Sequence, residues 1–529
     1  MSDILLSYHV RATASEIDSL ARKIAIEQSV EVPEALLSKA IAERYVGDVE
    51  SIRQLSLNQY ELCFSYQYES VEGQFNQLLN LCLGNISMYP QLRLVDMQLS
   101  DKMLSYFDGP QYGITGIRRY AQVVGRPLLA TALKPRGLSA TQFAQMAYEF
   151  AVGGGDIIKD DQNLSGHVEQ YKQRVHSCQQ ALQKAAQITG RECLYFPYVS
   201  APYEQLSEIF AWTQQQGIKG VLLAPAIHGF DHARGLAKAY QMIYMAHPSF
   251  GGSYCISPYE GISYDLFYGL LYRLAGVDIS IFPNPGGRFN FSQTDCTNIS
   301  QRCRAEMAHL KANFPCPAGG MQFQDISVMS RNYGQDTVFL LGGSLLQHSG
   351  SLKQSTREFL TEIERCTNQT QPQAVKNLQH ADSDEHISSC DMPTQDLPKH
   401  RQLDHLCFDN FTWHGRTAEA YKKDNFASFL AIQRTELIGK QNEQVNFELR
   451  YFEIQAGGYT SLEKHQHTHV IIIVRGQGLV QIAEQSYHAR VNDVLYIKPN
   501  CIHQLSNPHQ DEFGFYCIVD KQRDRPQVM

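Results

Sequence analysis

No CxxC pair occurs among the 13 cysteines of this 529-residue chain. An odd, scattered set argues against a disulfide framework and for reduced thiols. No basic cluster stands out, and 46 Lys and Arg against 54 Asp and Glu leave a net charge of -8. That balance argues against nucleic acid or an anionic membrane as the main partner. Long apolar runs are missing too. The longest in a strand-like segment, Val470 to Val474, falls far short of the roughly 20 residues of a membrane span. The opening MSDILLSYHVRATASEID has neither a basic leader nor an apolar run. No signal peptide is therefore expected, and the expected location is cytoplasmic.

What remains is an ordinary soluble composition, 43% hydrophobic and 19% charged, in a chain too long for one core. Residues 1–125 mix strand-like segments (ILLSYHVRA, QYELCFSYQY, QLRLVDMQLS) with helical ones around Ala14 to Gln28 and at FNQLLNLCLGN. This reads as an α+β domain. Over residues 126–365 short apolar runs alternate with longer helical segments: LLATALKP, GGDIIKDD, CLYFPYVSA, GVLLAPAI, MIYMAHPS, VDISIFPNP, AGGMQ and TVFLLGGS. Eight such units predict an α/β domain of the (β/α)8 TIM-barrel type. Residues 366–404 are polar and aperiodic, a predicted linker. Strands dominate again over 405–529, with turn spacing that suggests an all-β jelly roll.

The chain's chemistry gathers first at GGGDIIKDDQNL, Gly153 to Leu164. An apolar strand runs straight into Lys159, Asp160 and Asp161, and buried charges need partners or a metal. In a barrel that strand end is where chemistry happens. One strand earlier, ALKPRGL presents Lys134 and Arg136 around a proline–glycine turn. A partly desolvated lysine near other cations can lose its proton close to neutral pH and serve as a base.

These two motifs, in this order on consecutive strands, resemble the large-subunit fold of ribulose-bisphosphate carboxylase (RuBisCO), and more closely the RuBisCO-like proteins. The resemblance covers about residues 5 to 365. It implies that Lys159 matches the lysine that carbon dioxide converts to a magnesium-binding carbamate. Asp161 matches a metal-ligating aspartate. Gln162 stands where a glutamate ligand is usual; its amide can bind a hard cation but adds no charge. Lys134 matches the active-site lysine of the first strand, and His247 the histidine of the fifth. Asn85 matches an asparagine that the N-terminal domain lends to its dimer mate's barrel, and Glu27 the other such position. A homodimer or higher homo-oligomer is thus implied. Gly319-Gly320 and Gly342-Gly343 resemble two phosphate-binding turns, with Arg136 and Arg288 as further substrate contacts.

The departures from carboxylases are specific. Pro248 replaces a phosphate-gripping arginine, Arg288 lies where a mobile lysine steers carbon dioxide, and Ile281 replaces a histidine. The pattern FPNPGGRF resembles RuBisCO-like proteins rather than carboxylases. What survives suits enolisation of a ketose monophosphate, not carbon dioxide fixation.

A second centre lies in Gly457 to His469, GGYTSLEKHQHTH. At strand period, Glu463, His465, His467 and His469 share a face. Such a cluster is a concentrated ligand set for a transition metal. A proline turn ending in His503 supplies a ligand from another strand. The segment 440–522 resembles a cupin. Spacing to Gly476 selects Glu463, His465, His469 and His503; histidine count puts His467 in place of Glu463. Mn2+, Fe2+, Ni2+ and Zn2+ all suit such a site. His228 and His232 read as packing groups.

RuBisCO-like isomerases that convert 5-methylthioribulose 1-phosphate to 1-methylthioxylulose 5-phosphate occur beside a cupin that removes methanethiol from the product. The leading expectation is therefore a bifunctional enzyme of methylthio-sugar phosphate salvage. Its barrel would carry Mg2+ on the Lys159 carbamate and its cupin a transition metal. The alternatives are a decarboxylase or hydrolase of a branched oxo-sugar-acid phosphate, or a diketo-methylthiopentyl-phosphate enolase. In those the cupin would be a sensing or dimerising module.

Overall fold

The computed structural model describes residues 2–164, 167–376, 406, 408–409, 411–413, 416–421, 429–440, 445–522 and 527–528. Two compact units emerge, Met1–Ala381 and Asp382–Met529.

The first unit begins with a strand, β1 (Ile4–Arg11), whose alternate residues Ile4, Leu6, Tyr8 and Val10 are buried. Period-2 patterning of this kind gives one core face and one wet face. β1 pairs antiparallel with β3 (Gln59–Tyr66) and with β4 (Leu92–Leu99), while β2 (Asp48–Ser56) forms the edge beyond β3. The helix expected around Ala14 to Gln28 spans Ile17–Glu27 and buries Ile17, Ala21, Ile24 and Ala25.

The barrel follows. Its strands are β5 (Leu128–Leu133), β6 (Ile157–Asp160), β7 (Leu194–Phe196), β8 (Gly220–Leu223), β9 (Ile243–Ala246), β11 (Ile279–Pro283), β12 (Phe314–Ala318) and β13 (Val338–Leu341). All pair in parallel, in the order β7-β6-β5-β13-β12-β11-β9-β8. A parallel bridge from Tyr198 to Leu222 joins the ends of that order and closes the ring. Burial on both faces explains why β5 reads LLATAL, with every residue buried. The two-residue β10 (Gly261–Ile262) pairs in parallel with β4, on the N-terminal sheet.

Two expectations need correction. The seventh barrel strand is FPCPA, not AGGMQ, which forms the turn at its carboxyl end. Pro315 and Pro317 disguised it, because proline within a run argues against a strand. The linker also begins later than residue 366: a helix spans Leu352–Lys376. Leu352, Phe359, Ile363 and Cys366 anchor that helix in the core. The sequence beyond them is polar, so the apolar period ends before the helix does. The rest of the predicted linker, 377–404, lies outside the described residues.

The described residues of the second unit form mostly antiparallel strands. After the short β14 (Phe408–Asp409), β15 (Thr412–Trp413) and β16 (Ala418–Ala420) come β17 (Leu430–Ile438) and β18 (Phe447–Tyr459). Then follow β19 (Glu463–Lys464), β20 (His469–Arg475), β21 (Gln477–Ile482), β22 (Gln485–Arg490), β23 (Val494–Ile497), β24 (His503–Ser506) and β25 (Phe513–Asp520). The path β22-β21-β24-β18-β25-β20-β23 agrees with the expected jelly roll. Its core is Phe452, Ile454, Ile471, Ile473, Phe513 and Phe515 with their neighbours. VIIIVRGQGLVQIAE divides into β20 and β21 at Gly476, whose φ of +60° suits glycine.

Candidate active site and metal centre

The barrel cluster is built from three strand ends. Lys159 sits in β6 opposite Ala132 of β5 and Phe196 of β7. Its side chain is 3% exposed and Nζ donates to the Asp160 carbonyl at 3.0 Å. Burial lowers the amine to about 8; Asp161 pulls it back up and the Lys134 charge pushes it further down.

Strand alternation separates the two acids that follow. Asp160 turns away to the helical layer, where it accepts from Arg174 at 2.9 Å, the Tyr195 hydroxyl at 2.7 Å and the Tyr198 N–H at 3.1 Å. It is a structural anchor. Asp161 instead faces Lys134, with Nζ 3.1 Å from Oδ2. Burial raises its carboxyl, but the Asn163 N–H and Lys134 outweigh that and hold it below the ordinary value. Gln162 follows in the turn, half-buried.

His247, just past the end of β9, completes the group. Burial pushes its imidazole well below the usual value, and the Lys159 and Lys134 charges add to this. The Ser249 N–H donates to Nδ1 at 3.1 Å, and the Ser249 hydroxyl lies 2.8 Å away. The ring is therefore neutral, with its proton on Nε2.

The glycine turns stand at neighbouring strand ends. Gly319 and Gly320 have φ of +84° and +73°. A side chain at Gly320 would meet the Gly287 Cα at 2.5 Å, so this turn packs directly on the PGGR loop after β11. Arg288 on that loop is exposed, its guanidinium 5.9 Å from the Phe289 ring centroid. Gly342 precedes the five-residue helix Gly343–Gln347, and a Cβ at Gly342 or Gly343 would meet nothing within 4 Å. Arg136 is exposed after β5. Ile281 is buried in the inner barrel core.

Sequence reasoning assigned no role to Asn284. It is 7% exposed at the end of β11, and the Tyr333 hydroxyl donates to its Oδ1 at 2.8 Å. That bond fixes the loop carrying Arg288. The asparagine was visible within FPNPGGRF, but its tyrosine partner lies 49 positions away. His228 is a packing group, as expected: its ring nitrogens lie 2.9 Å and 3.0 Å from the carbonyls of Ala224 and Val199. His232 packs on the Tyr203 ring.

On the N-terminal domain, the Asn85 amide donates to Glu27 at 3.0 Å and to Glu31 at 3.2 Å. The three line a polar cavity of about 220 Å³ with Glu69 and Tyr45. Glu31 was not singled out in the sequence. Nothing in the local pattern distinguishes it from an ordinary surface acid.

In the second unit the expected single strand face is corrected. β19 ends at Lys464 and β20 starts at His469, with a bend at Gln466 and His467 between them. The bend still stacks the rings: His465 on His467 at 3.7 Å and His465 on His469 at 4.4 Å. β24 brings in His503, its ring 4.9 Å from His465. His465, His469 and His503 present ligand nitrogens within 4.8 Å of one another, the one such group found among the described residues.

The His465 Nδ1 bonds the His467 carbonyl at 2.8 Å and the His503 Nδ1 bonds the Cys501 carbonyl at 3.0 Å. Both bonds select the tautomer whose Nε2 carries a lone pair, which suits metal ligation. Burial, then the neighbouring imidazoles, hold His469 neutral as a ligand must be. His467 lies with Nε2 3.2 Å from that of His469. Glu463 is buried and pairs in register with His503. Both line a lumen of about 190 Å³ together with His469, His503, Arg434 and Arg450. The donor set fits a transition metal.

The family "Ribulose bisphosphate carboxylase large chain, catalytic domain" matches residues 113–282, and "Cupin domain" matches residues 450–519. The chain is 34% identical over 363 residues to a ribulose bisphosphate carboxylase-like protein of Rhodopseudomonas palustris, covering 68% of this chain and 97% of that one. It is 33% identical to the 5-methylthioribulose-1-phosphate isomerase of Rhodospirillum rubrum, covering 68% and 95%. The crystal structure of a Rubisco-like protein from Rhodopseudomonas palustris superposes with a TM-score of 0.62 at 32% identity, covering 69% and 98%.

Proposed function

The chain belongs to the RuBisCO-like proteins, with a cupin domain at its C-terminal end, and on that footing we propose that its barrel isomerises a ketose monophosphate by proton transfer. The substrate we assign is 5-methylthioribulose 1-phosphate and the product 1-methylthioxylulose 5-phosphate. The cupin then cleaves the carbon–sulfur bond of that product: two equivalents of an external thiol supply two electrons and two protons, become a disulfide, and leave a methyl group on the sugar and free methanethiol. The observation that carries the reading is the cluster of Lys134, Lys159, Asp161 and His247, in which burial, aided by the Lys134 charge, lowers one amine and one imidazole.

Each group has a task. A lysine near 8 is partly unprotonated at neutral pH, the form that accepts a proton and the form that adds carbon dioxide. Lys134, held against Asp161, is the complementary proton donor or acceptor at the mouth. The His247 Nε2–H is placed to hydrogen-bond a ketose oxygen as charge develops there. The Gly319-Gly320 and Gly342-Gly343 turns offer backbone N–H groups to the phosphate.

Lys159 as a carbamate, Asp161 and Gln162 would hold magnesium in the barrel. Three oxygen donors of this kind fit a hard cation, with less charge than a carboxylate in place of Gln162 would give. Bound there, the ion would polarise the vicinal oxygens of the substrate. Glu27 and Asn85, side by side on the N-terminal domain, would face the partner's barrel in a homodimer.

The reading is tested by supplying the purified chain with 5-methylthioribulose 1-phosphate and a thiol reductant and identifying products by mass spectrometry. A ketose 5-phosphate and methanethiol are expected. Conversion only of a branched oxo-sugar-acid phosphate, with release of carbon dioxide, would replace this reading with the decarboxylase alternative.

A further inference from the structure

The cupin lumen holds a cation that the histidine cluster does not explain. Arg450 lies in β18, 8% exposed, and its side chain lines the cavity. Among the described residues no carboxylate pairs with it, and its buried Nε has no hydrogen-bond partner. Its contacts are a weak one from Nη2 to the Cys517 sulfur at 3.4 Å and the Phe452 ring, 5.2 Å from the guanidinium.

The unit's other lumen-side and edge arginines differ. Arg475 pairs with Glu453 at 2.7 Å and Glu512 at 3.2 Å. Arg434, also lining the cavity, pairs with Glu436 at 2.9 Å. A buried charge without a counter-charge is costly. Fold stability alone gives no reason to place one here, and a ligand anion does.

The position is specific. Register sets Arg450 opposite Cys517 and Cys517 opposite Ile471, in the wall of the lumen. The Cys517 sulfur lies 3.8 Å from His469 Nδ1, so one side chain separates the guanidinium from the metal-ligand triad. Glu463 lines the same space and pairs in register with His503, among the metal-ligand histidines.

We propose that Arg450 is the anion subsite of the cupin lumen, holding the phosphate of a small sugar phosphate whose oxygens reach the His465–His469–His503 centre. A planar guanidinium takes two phosphate oxygens at once. This rests on the reading that the cupin acts on a phosphorylated sugar, and it is tested without turnover.

The full chain, stripped of metal, is titrated calorimetrically with methyl phosphate and, separately, with acetate. Wild type should bind one more equivalent of methyl phosphate per chain than Arg450→Gln, with Arg450→Lys retaining it more weakly. The barrel site is common to all three and cancels. Equal stoichiometry in wild type and Arg450→Gln overturns the proposal, and tighter binding of acetate overturns the phosphate assignment. Should Arg450→Gln fail to fold, Arg450→Lys decides: weaker methyl phosphate binding than wild type is expected, and unchanged binding overturns the proposal. Arginine-dependent phosphate binding without any thiol release would leave the subsite standing and remove the methanethiol reading.

Discussion

The Lys134 ammonium stands 3.1 Å from the Asp161 carboxylate, bridging two strand ends that 27 residues of sequence keep apart. This pair sets the charge balance of the barrel mouth. It stabilises the Asp161 anion, and its cation helps depress both Lys159 and His247.

Removing that cation should therefore act on activity more than on folding. Lys134→Ala is expected to lower the isomerisation rate by about two orders of magnitude or more, the usual contribution of a placed acid or base. Lys134 is 42% exposed in its side chain, so the melting temperature should change little. Steady-state kinetics beside a thermal melt checks both.

Lys159 predicts a pH dependence of stability. In the unfolded chain it holds its proton up to 10.5, whereas in the folded chain it releases it near 8. Between those values the unfolded state binds more protons, so stability rises with pH across that window. The gap corresponds to on the order of 3 kcal/mol at about 1.4 kcal/mol per pH unit. Urea unfolding in carbonate-free buffer should show this rise in wild type and lose it in Lys159→Met. An unchanged slope in the variant would assign the rise to other groups.

Asp160 is expected to matter to the fold rather than to the chemistry. Its carboxylate is fully buried and holds Arg174, Tyr195 and the Tyr198 N–H. Asp160→Ala strands a buried guanidinium and should cost about 3–5 kcal/mol. Chemical denaturation measures it. A near-neutral result would place Arg174 in solvent contact.

For the second centre, His465→Ala with His503→Ala should abolish tight transition-metal binding, read by metal analysis after dialysis. The barrel reaction should continue, so the ketose 5-phosphate accumulates while methanethiol release stops. Thiol release that survives the double substitution would remove the cupin from catalysis.

Much of this arrangement was legible in the sequence because it is written in strand ends. IIKDD and ALKPRG carry charge where parallel strands leave the core, and that position is special in a barrel. The histidine cluster was legible from its density. What stayed hidden depended on pairing at a distance or on disguise. Pro315 and Pro317 masked a central strand. The helix Leu352–Lys376 outlived its apolar stripe. Asn284 acquires its role from Tyr333, and Arg450 from the lack of a counter-charge among the described residues, which only the folded wall of the lumen displays. The bend at Gln466 and His467 breaks the period that grouped the ligands, although stacking keeps the rings together.

On the proposed reading, the barrel moves a proton on a ketose phosphate. That step is tested most directly by incubating the chain with 5-methylthioribulose 1-phosphate in deuterated water and locating solvent deuterium in the recovered sugar phosphate. Deuterium at the carbon next to the carbonyl in wild type, and its loss in Lys134→Ala, is the predicted result. Recovery of unlabelled, unconverted substrate from wild type would contradict the account.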